Sequence, residues 1–187
     1  MPDLWIGQSS NNGYGPNFPN GNSTPSAQGL FLSSGSTVLA SSLALDSAGN
    51  LWVVDTGNYR VLRFPASALA NGGGSLTADL VIGQTSLTSN APTLNTSTAA
   101  SYLVLNQLVR PASIAFDPSG NLWVSDLNRV MVFAAPFTTG MSASSHLIGV
   151  FPTGYSFRQE RPCRPCWIKR RFCLRKGFSF SRAVAWE

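Results

Sequence analysis

Short apolar runs alternate with polar turn residues along most of the chain. Runs such as SLALD, LWVVD and YRVLRF are bounded by turns that contain Gly, Asn, Ser or Thr. Apolar runs of this length between turn residues predict β-strands joined by tight connections. The LWVV and LWV runs are apolar at consecutive positions, so both faces of these strands need cover from other parts of the protein. We therefore predict antiparallel β-sheets that pack face to face.

The strand pattern repeats along the chain. ALDSAGNLWVVD at residues 44–55 recurs 71 residues later as AFDPSGNLWVSD at residues 115–126, and eight of the twelve positions are identical. The similarity continues from YRVLRF at 59–64 into NRVMVF at 128–133, with two residues deleted in the turn. Two related units in the same order indicate a repeat architecture.

A second element repeats in step with the first. It reads DLWIGQ at residues 3–8, DLVIGQ at 79–84 and HLIGV at 146–150. Because it follows the three strands of each unit, it supplies a fourth strand, and each unit is predicted to be a four-stranded antiparallel meander. The stretches between units are rich in Ser, Thr, Asn and Gly, which predicts long surface loops.

The spacing Asp-x-x-Gly-Asn-Leu-Trp-Val-x-Asp, followed by an Arg-Val strand, resembles the NHL repeat of β-propeller proteins. Two copies match, at 44–64 and 115–133, and with the flanking strands the resemblance covers roughly residues 1–150. It implies an all-β fold class: a partial β-propeller of four-stranded antiparallel blades, with long surface loops and a basic tail outside the propeller. The long inserts and the VIGQ element are similar to secreted or cell-surface NHL proteins of bacteria, which implies an extracytoplasmic location.

Two regions are predicted, an NHL-like propeller fragment at 1–157 and a basic tail at 158–187. The fragment comprises a leading outer strand at 3–8, blades at about 41–84 and 112–150, and loop inserts at 9–38 and 85–110. Because propellers contain about four to eight blades, two blades predict a piece of a longer repeat protein. Its open blade faces expose apolar side chains, so self-association through those faces is expected.

Basic charge is concentrated in the tail. The formal net charge is +5, yet residues 1–157 hold four basic and six acidic side chains and no lysine, whereas residues 158–187 hold nine basic and two acidic side chains. A propeller that binds RNA needs a basic face, so no specific nucleic-acid partner is predicted. No apolar run approaches the roughly 18 residues of a membrane helix, and the first residues do not read as a signal peptide.

All three cysteines lie in the tail: Cys163, Cys166 and Cys173. Three thiolates without a fourth ligand nearby argue against a zinc site, and the CxxC pair lacks the strand-then-helix setting of a redox motif. Basic residues interleaved with Trp167 and Phe172 leave nucleic-acid contact as an alternative. The abrupt change in composition favours a shift of reading frame near Arg158, and we predict that the tail is disordered or poorly packed.

The residues that recur in both units are predicted to be structural. They are Asp46, Gly49, Asn50, Trp52, Asp55 and Arg60 in the first unit, and Asp117, Gly120, Asn121, Trp123, Asp126 and Arg129 in the second. The first Asp of each unit precedes a tight Gly-Asn turn that needs a positive φ. The second Asp ends a strand, where a carboxylate accepts hydrogen bonds from turn amides. The repeated Arg is expected to pair with that Asp rather than bind a partner, and the Trp to lie in the core between blades.

No residues of the chain are predicted to be catalytic, to bind a cofactor or to hold a metal. His146 is the single histidine, and neither paired catalytic carboxylates nor a Gly-x-Ser-x-Gly nucleophile motif occurs. The favoured function is a non-catalytic structural or interaction module that contacts a protein or a glycan through blade-end loops. The alternative is a fragment of a propeller enzyme, a lyase or hydrolase, whose active-site residues lie in other blades.

Overall fold

Antiparallel β-sheet dominates the part of the chain that the computed structural model describes. Those residues are 4–8, 15–17, 24–34, 37–71, 75–90, 104–127, 129–144 and 147–149. The strands in chain order are β1 (Ser33–Ser34), β2 (Thr37–Val38), β3 (Leu43–Leu45), β4 (Leu51–Asp55), β5 (Arg60–Phe64), β6 (Leu80–Ile82), β7 (Pro111–Phe116), β8 (Leu122–Asp126), β9 (Arg129–Phe133) and β10 (Leu147–Gly149). The predictions for the tail at 158–187, with its cysteines, and for His146 concern residues outside these ranges.

Two four-stranded sheets form the body of the part of the chain that the structure describes. Their strand orders are β3-β4-β5-β6 and β7-β8-β9-β10, and all neighbouring strands are antiparallel. Each sheet is therefore a simple meander, and its strands follow the sequence repeat in order. The predicted all-β fold class is confirmed, and the two sheets are consistent with part of a β-propeller.

Two elements of the structure differ from the sequence prediction. A short helix, α1 (Ala66–Asn71), lies in the connection before β6, for which the sequence predicts no helix. Pro65 immediately precedes it, and the Ala and Leu residues that follow are good helix formers. Strands β1 and β2 form a small hairpin within the insert that was predicted to be a loop.

The main core lies between the two sheets. Trp52 and Val54 of β4 face Ile114 of β7 and Val124 of β8 in one buried cluster. The Trp52 ring meets Phe116 edge-on, with ring centroids 5.6 Å apart, as well as a phenylalanine of the segment after β9 at 4.8 Å. Edge-on aromatic pairs add about 0.5–1.5 kcal/mol beyond their buried area, so Trp52 is a principal link between the sheets.

A second core covers the other face of the first sheet. Val53, Leu62 and Phe64 are buried there beneath segments 4–8 and 24–34 and the end of the connection that carries α1. Segment 4–8 is held by two isolated parallel bridges, Trp5–Ser75 and Gly7–Gly29. Apolar side chains therefore cover strand β4 on both faces, as its uninterrupted LWVV run predicts.

The glycine of the IGQ element permits a close contact that repeats in both units. Gly7 and Gly83 have φ values of +87° and +88°. A Cβ atom at Gly7 would lie 2.7 Å from the Cδ1 of Leu30, and one at Gly83 would lie 2.5 Å from the Cγ of Leu108. Each leucine also donates its backbone N–H to the carbonyl of the same glycine, at 3.4 Å in both cases. The segment that precedes each sheet is thus anchored on an IGQ glycine.

Candidate functional site

A buried ion pair joins the ends of the two central strands in each sheet. Arg60 Nε donates to Asp55 Oδ2 at 2.7 Å, and neither side chain is exposed. Arg129 Nε donates to Asp126 Oδ2 at 3.0 Å, with side-chain exposures of 2% and 0%. In each sheet the Asp ends the second strand and the Arg begins the third, so the turn between them brings the two side chains together.

The guanidinium of Arg60 also binds the segment that precedes the first sheet in the chain and the segment that follows it. Its Nη2 donates to the carbonyls of Ser26 at 3.0 Å and Gly29 at 2.9 Å, which precede the sheet. Its Nη1 donates to the carbonyl of Leu87 at 2.5 Å, which follows the sheet. One buried cation therefore fixes the path of two separate connections.

Arg129 makes the same kind of contacts in the second unit. Its Nη2 donates to the carbonyl of Gln107 at 2.8 Å, and its Nη1 donates to the carbonyl of Val104 at 3.2 Å. Both carbonyls lie in the segment before β7, as those of Ser26 and Gly29 lie before β3. The arrangement is therefore a repeated feature of the fold.

The remaining carboxylate oxygen of each Asp binds the same preceding segment. Asp55 Oδ1 accepts the backbone N–H of Phe31 at 2.7 Å. Asp126 Oδ1 accepts the N–H groups of Val109 at 2.8 Å and Arg110 at 2.6 Å. Each Asp–Arg pair thus acts as an anchor for the connection that enters its sheet, and we call it the loop anchor.

The first loop anchor carries an additional pair of amide side chains. Asn17 and Asn58 are both buried, and each donates its Nδ2 to the Oδ1 of the other, at 3.0 and 2.8 Å. Asn58 Nδ2 also reaches Asp55 Oδ2 at 2.8 Å. Asn58 belongs to the turn between β4 and β5, which contains a 3-10 helix over Thr56–Asn58. The corresponding turn of the second unit is two residues shorter.

Hydroxyl and amide side chains cluster beside the first loop anchor. Ser89 Oγ donates to Gln84 Oε1 at 3.2 Å, and the hydroxyls of Ser86 and Thr88 are 3.2 Å apart. Gln84 Nε2 donates to the carbonyl of Tyr59, which joins the cluster to the turn after β4. The surface at this end, residues 85–90, carries mostly polar side chains and no charge. We call it the hydroxyl surface.

The opposite end of the first sheet is closed by a carboxylate-centred turn. Asp46 Oδ1 accepts the N–H groups of Ala48 at 3.0 Å and Asn50 at 2.9 Å. Its Oδ2 accepts the Asn50 side-chain amide and the indole N–H of Trp52, both at 2.9 Å. Gly49 occupies the turn with a φ of +80°.

The second sheet reproduces this turn bond for bond. Asp117 Oδ1 accepts the N–H groups of Ser119 and Asn121, both at 2.9 Å, and Oδ2 accepts the Asn121 amide at 2.9 Å. The indole N–H of Trp123 donates to Asp117 Oδ2 at 3.0 Å. Gly120 has a φ of +80°, as Gly49 does.

These hydrogen bonds favour the charged form of both turn carboxylates. For Asp117, the bonds from Trp123 and Asn121 lower the pKa to about 2. For Asp46, partial burial acts to raise the pKa, but the bonds from Trp52 and Asn50 outweigh it and leave the pKa below its usual value. A carboxylate that accepts several donors is a weak base, so this arrangement suits a turn better than proton transfer.

The structure thus divides the repeated residues between two ends of the sheets. Asp55, Arg60, Asp126 and Arg129 lie at the anchored end, and the Asp46 and Asp117 turns lie at the other. The two tryptophans differ, because Trp52 is fully buried whereas Trp123 is half-buried. The carbonyls that the arginines bind could not be found from sequence, because every residue has a carbonyl and only the backbone path selects these.

Comparison with known proteins identifies one repeat family. The model of the NHL repeat matches residues 38–64, which contain β3, β4 and β5 together with the first turn carboxylate and the first loop anchor. No curated protein matches the chain. The match supports an NHL repeat at residues 38–64, and the two antiparallel sheets are consistent with part of a β-propeller.

The described residues contain neither a group of metal ligands nor a membrane-spanning helix. No group of three or more His, Cys, Asp or Glu residues in these ranges could hold a metal ion. No helix in the same part of the chain is long and apolar enough to cross a membrane.

Proposed function

We propose that this protein is a non-catalytic interaction module that binds a protein or glycan partner through its anchored end. The observation that carries the proposal is the loop anchor, which holds connections on both sides of the first sheet to one buried cation. Loops placed on a rigid scaffold are a common site of recognition. The extracytoplasmic location implied by the resemblance belongs to the same proposal.

The loop anchors support recognition because they fix the loops before a partner arrives. Removing one member of a buried ion pair costs about 3–5 kcal/mol, since the other charge is left unpaired. Loops tied to such a pair lose little conformational freedom on binding, and this raises affinity for a given contact area. The anchored end therefore has a defined shape.

The chemistry of the hydroxyl surface indicates the kind of partner. Thr88 presents an exposed hydroxyl group, Ser86 and Ser89 add half-buried ones, and none of the three is charged. Such groups donate and accept hydrogen bonds at the same atom or group, as sugar hydroxyls and peptide amides do. A neutral glycan or an uncharged peptide segment is the partner class that this surface supports.

Binding to arrays of neutral glycans and of peptides tests the proposal. We expect saturable binding by the purified full chain and a loss of at least tenfold in affinity for Thr88→Arg, because Thr88 is exposed on the hydroxyl surface. Ser119→Arg is the matched control, since Ser119 is exposed in the turn at the opposite end and should leave affinity unchanged. Equal effects of the two variants would contradict the assignment of this surface.

The absence of catalysis by this chain is part of the proposal and has its own test. Turnover of lyase and hydrolase substrates by the wild-type chain, above that of Thr88→Arg and of a heat-denatured sample, would favour the enzyme-fragment alternative instead. Binding without turnover is the expected result.

A further inference from the structure

The second sheet has an outward face that resembles the inward face of the first. Trp123 is half-buried there, and Ala115, its partner in the register between β7 and β8, is exposed. Trp52 occupies the equivalent position of the first sheet and is fully buried against the second sheet. The side chain that links the two sheets is therefore present a second time, facing away from both.

The first sheet has the complementary face, also turned outward. Leu43 and Leu45 of β3 are 68% and 61% exposed, which is unusual for large apolar side chains in a strand. Leu43 lines an apolar groove of about 390 Å³ together with Ile6, Leu30 and Val53. This groove runs along the face opposite Trp52.

The repeat shows what this face accepts. A shift of 71 residues places Leu43 on Ile114 and Leu45 on Phe116, two residues that pack against the first sheet in the shared core. Phe116 is the residue that Trp52 meets edge-on. The outward face of the first sheet thus carries apolar side chains in the same register as the face that receives Trp52.

Segment 4–8 shows that this face is already used in the same way. Ile6 packs on the core of the first sheet as Ile82 of β6 packs on the core shared with the second. The contact of Gly7 with the leucine before β3 repeats that of Gly83 with the leucine before β7. Segment 4–8 therefore lies where the fourth strand of a preceding sheet would lie. The outward face of the first sheet is thus suited to the same kind of contact that joins the two sheets.

From this correspondence we propose that a second copy of the chain docks head to tail. Trp123 and Ala115 of one copy pack on Leu43 and Leu45 of the next, so the contact between the sheets of one chain is repeated between chains. Such an interface joins two different surfaces, and it yields a closed ring when the rotation per copy allows it. Since propellers contain about four to eight blades, a ring of copies that each contribute the two described sheets holds about two to four copies.

Docking requires segment 4–8 to move. The fourth strand of the incoming copy, β10, takes the position that segment 4–8 occupies, so both cannot remain. Segment 4–8 is the more weakly held, because it makes isolated bridges rather than a continuous ladder, and both Trp5 Nε1 and Ser75 Oγ are buried without a hydrogen-bond partner. We expect it to become accessible to protease in the assembly.

Light scattering during size-exclusion chromatography tests the proposal with the full chain. Salt is added to screen the basic residues of the tail, so that their nonspecific adhesion does not contribute. We expect the wild type to form a complex of two to four copies as its concentration rises into the high micromolar range. Ala115→Glu and Leu45→Asp should each be monomeric, because each damages one of the two surfaces at an exposed position.

Mixing the two variants distinguishes a head-to-tail interface from a symmetric one. Ala115→Glu retains the leucine face and Leu45→Asp retains the tryptophan face, so an equal mixture should form a dimer of one copy of each. Leu127→Asp is the matched control: Leu127 is exposed on a turn outside both faces, with a φ of +54° that Asp tolerates, and it should assemble as the wild type does.

Three results would overturn the proposal: a wild type that stays monomeric, a mixture that stays monomeric, or an assembly that both single variants retain. None of these depends on the loop anchors or on the hydroxyl surface. Failure of the assembly therefore leaves the proposed recognition function standing, and failure of glycan or peptide binding leaves the assembly standing.

Discussion

Arg60 and Asp55 form an ion pair with no solvent exposure of either side chain, at an Nε–Oδ2 distance of 2.7 Å. The remaining polar atoms of both side chains also have hydrogen-bond partners, because they bind backbone groups of neighbouring segments. Its chief structural effect is to fix those segments on the sheet. This relationship leads to the first prediction.

Replacing Arg60 by Leu should lower the free energy of unfolding by about 3–5 kcal/mol, because the Asp55 carboxylate is left buried without a counter-charge. Urea denaturation followed by tryptophan fluorescence measures the loss. Arg63→Gln is the control: the Arg63–Asp79 pair has side-chain exposures of 24% and 39%, so its loss should cost about 0–1 kcal/mol. Similar losses for the two variants would show that burial does not increase the contribution of the Arg60–Asp55 pair to the free energy of unfolding.

The two tryptophans should differ in their contribution to stability although their local sequences are nearly identical. Trp52→Ala should cost about 3–5 kcal/mol, because it opens a cavity against Phe116 in the core between the sheets. Trp123→Ala should cost clearly less, since part of its side chain already contacts water. The comparison requires low protein concentration, so that association does not bury Trp123. Equal costs would contradict the observed difference in burial.

The IGQ glycine of the first unit should tolerate no side chain. In Gly83→Ala the new Cβ would lie 2.5 Å from Leu108 Cγ, and the positive φ adds strain, so we expect a loss of about 2–4 kcal/mol. Gly120→Ala is a matched control, because its φ is also positive while nothing lies within 4 Å of the new atom. It should show the backbone cost alone, about 1–2 kcal/mol. Thermal unfolding of both variants measures the difference, and a larger loss at Gly120 would contradict the packing argument.

Stability should fall in acid as the turn carboxylates are protonated. The pKa of Asp117 is lowered to about 2 in the folded protein from an ordinary value of 3.8. A lowered folded pKa stabilises the fold above the unfolded pKa, and this stabilisation is lost as the pH falls through the folded pKa. The loss should therefore occur between about pH 4 and pH 2.

Denaturation curves at a series of pH values test this window. Asp117→Asn should be less stable than the wild type near neutral pH and should show a shallower decline in acid. A decline of unchanged steepness in Asp117→Asn would assign the acid sensitivity to other carboxylates, with Asp46→Asn as the next variant to compare.

The strands could be predicted from sequence because the repeat supplies two independent copies of the same pattern. The turn residues Gly49 and Gly120 mark the same hairpin in both units, and the apolar run at β4 indicates cover on both faces. Helix α1 could not be predicted from sequence, because its six residues are too few for a helical period to show.

The anchored end was less predictable, because its geometry depends on backbone groups. The pattern places Arg60 beside a turn Asp, yet nothing in the amino-acid sequence shows that its guanidinium binds the carbonyls of Ser26 and Leu87. Burial differs for a similar reason: Trp52 and Trp123 have the same local sequence, and only the neighbouring sheet decides which of them is covered.

The choice of backbone carbonyls as the partners of Arg60 and Arg129 has a consequence for sequence variation. A carbonyl is present whichever side chain stands at Ser26, Leu87, Val104 or Gln107, so substitutions there leave the bonding atoms in place. The connections can change their side chains widely while following the same path. The anchored end can in this way present a different surface without a new fold.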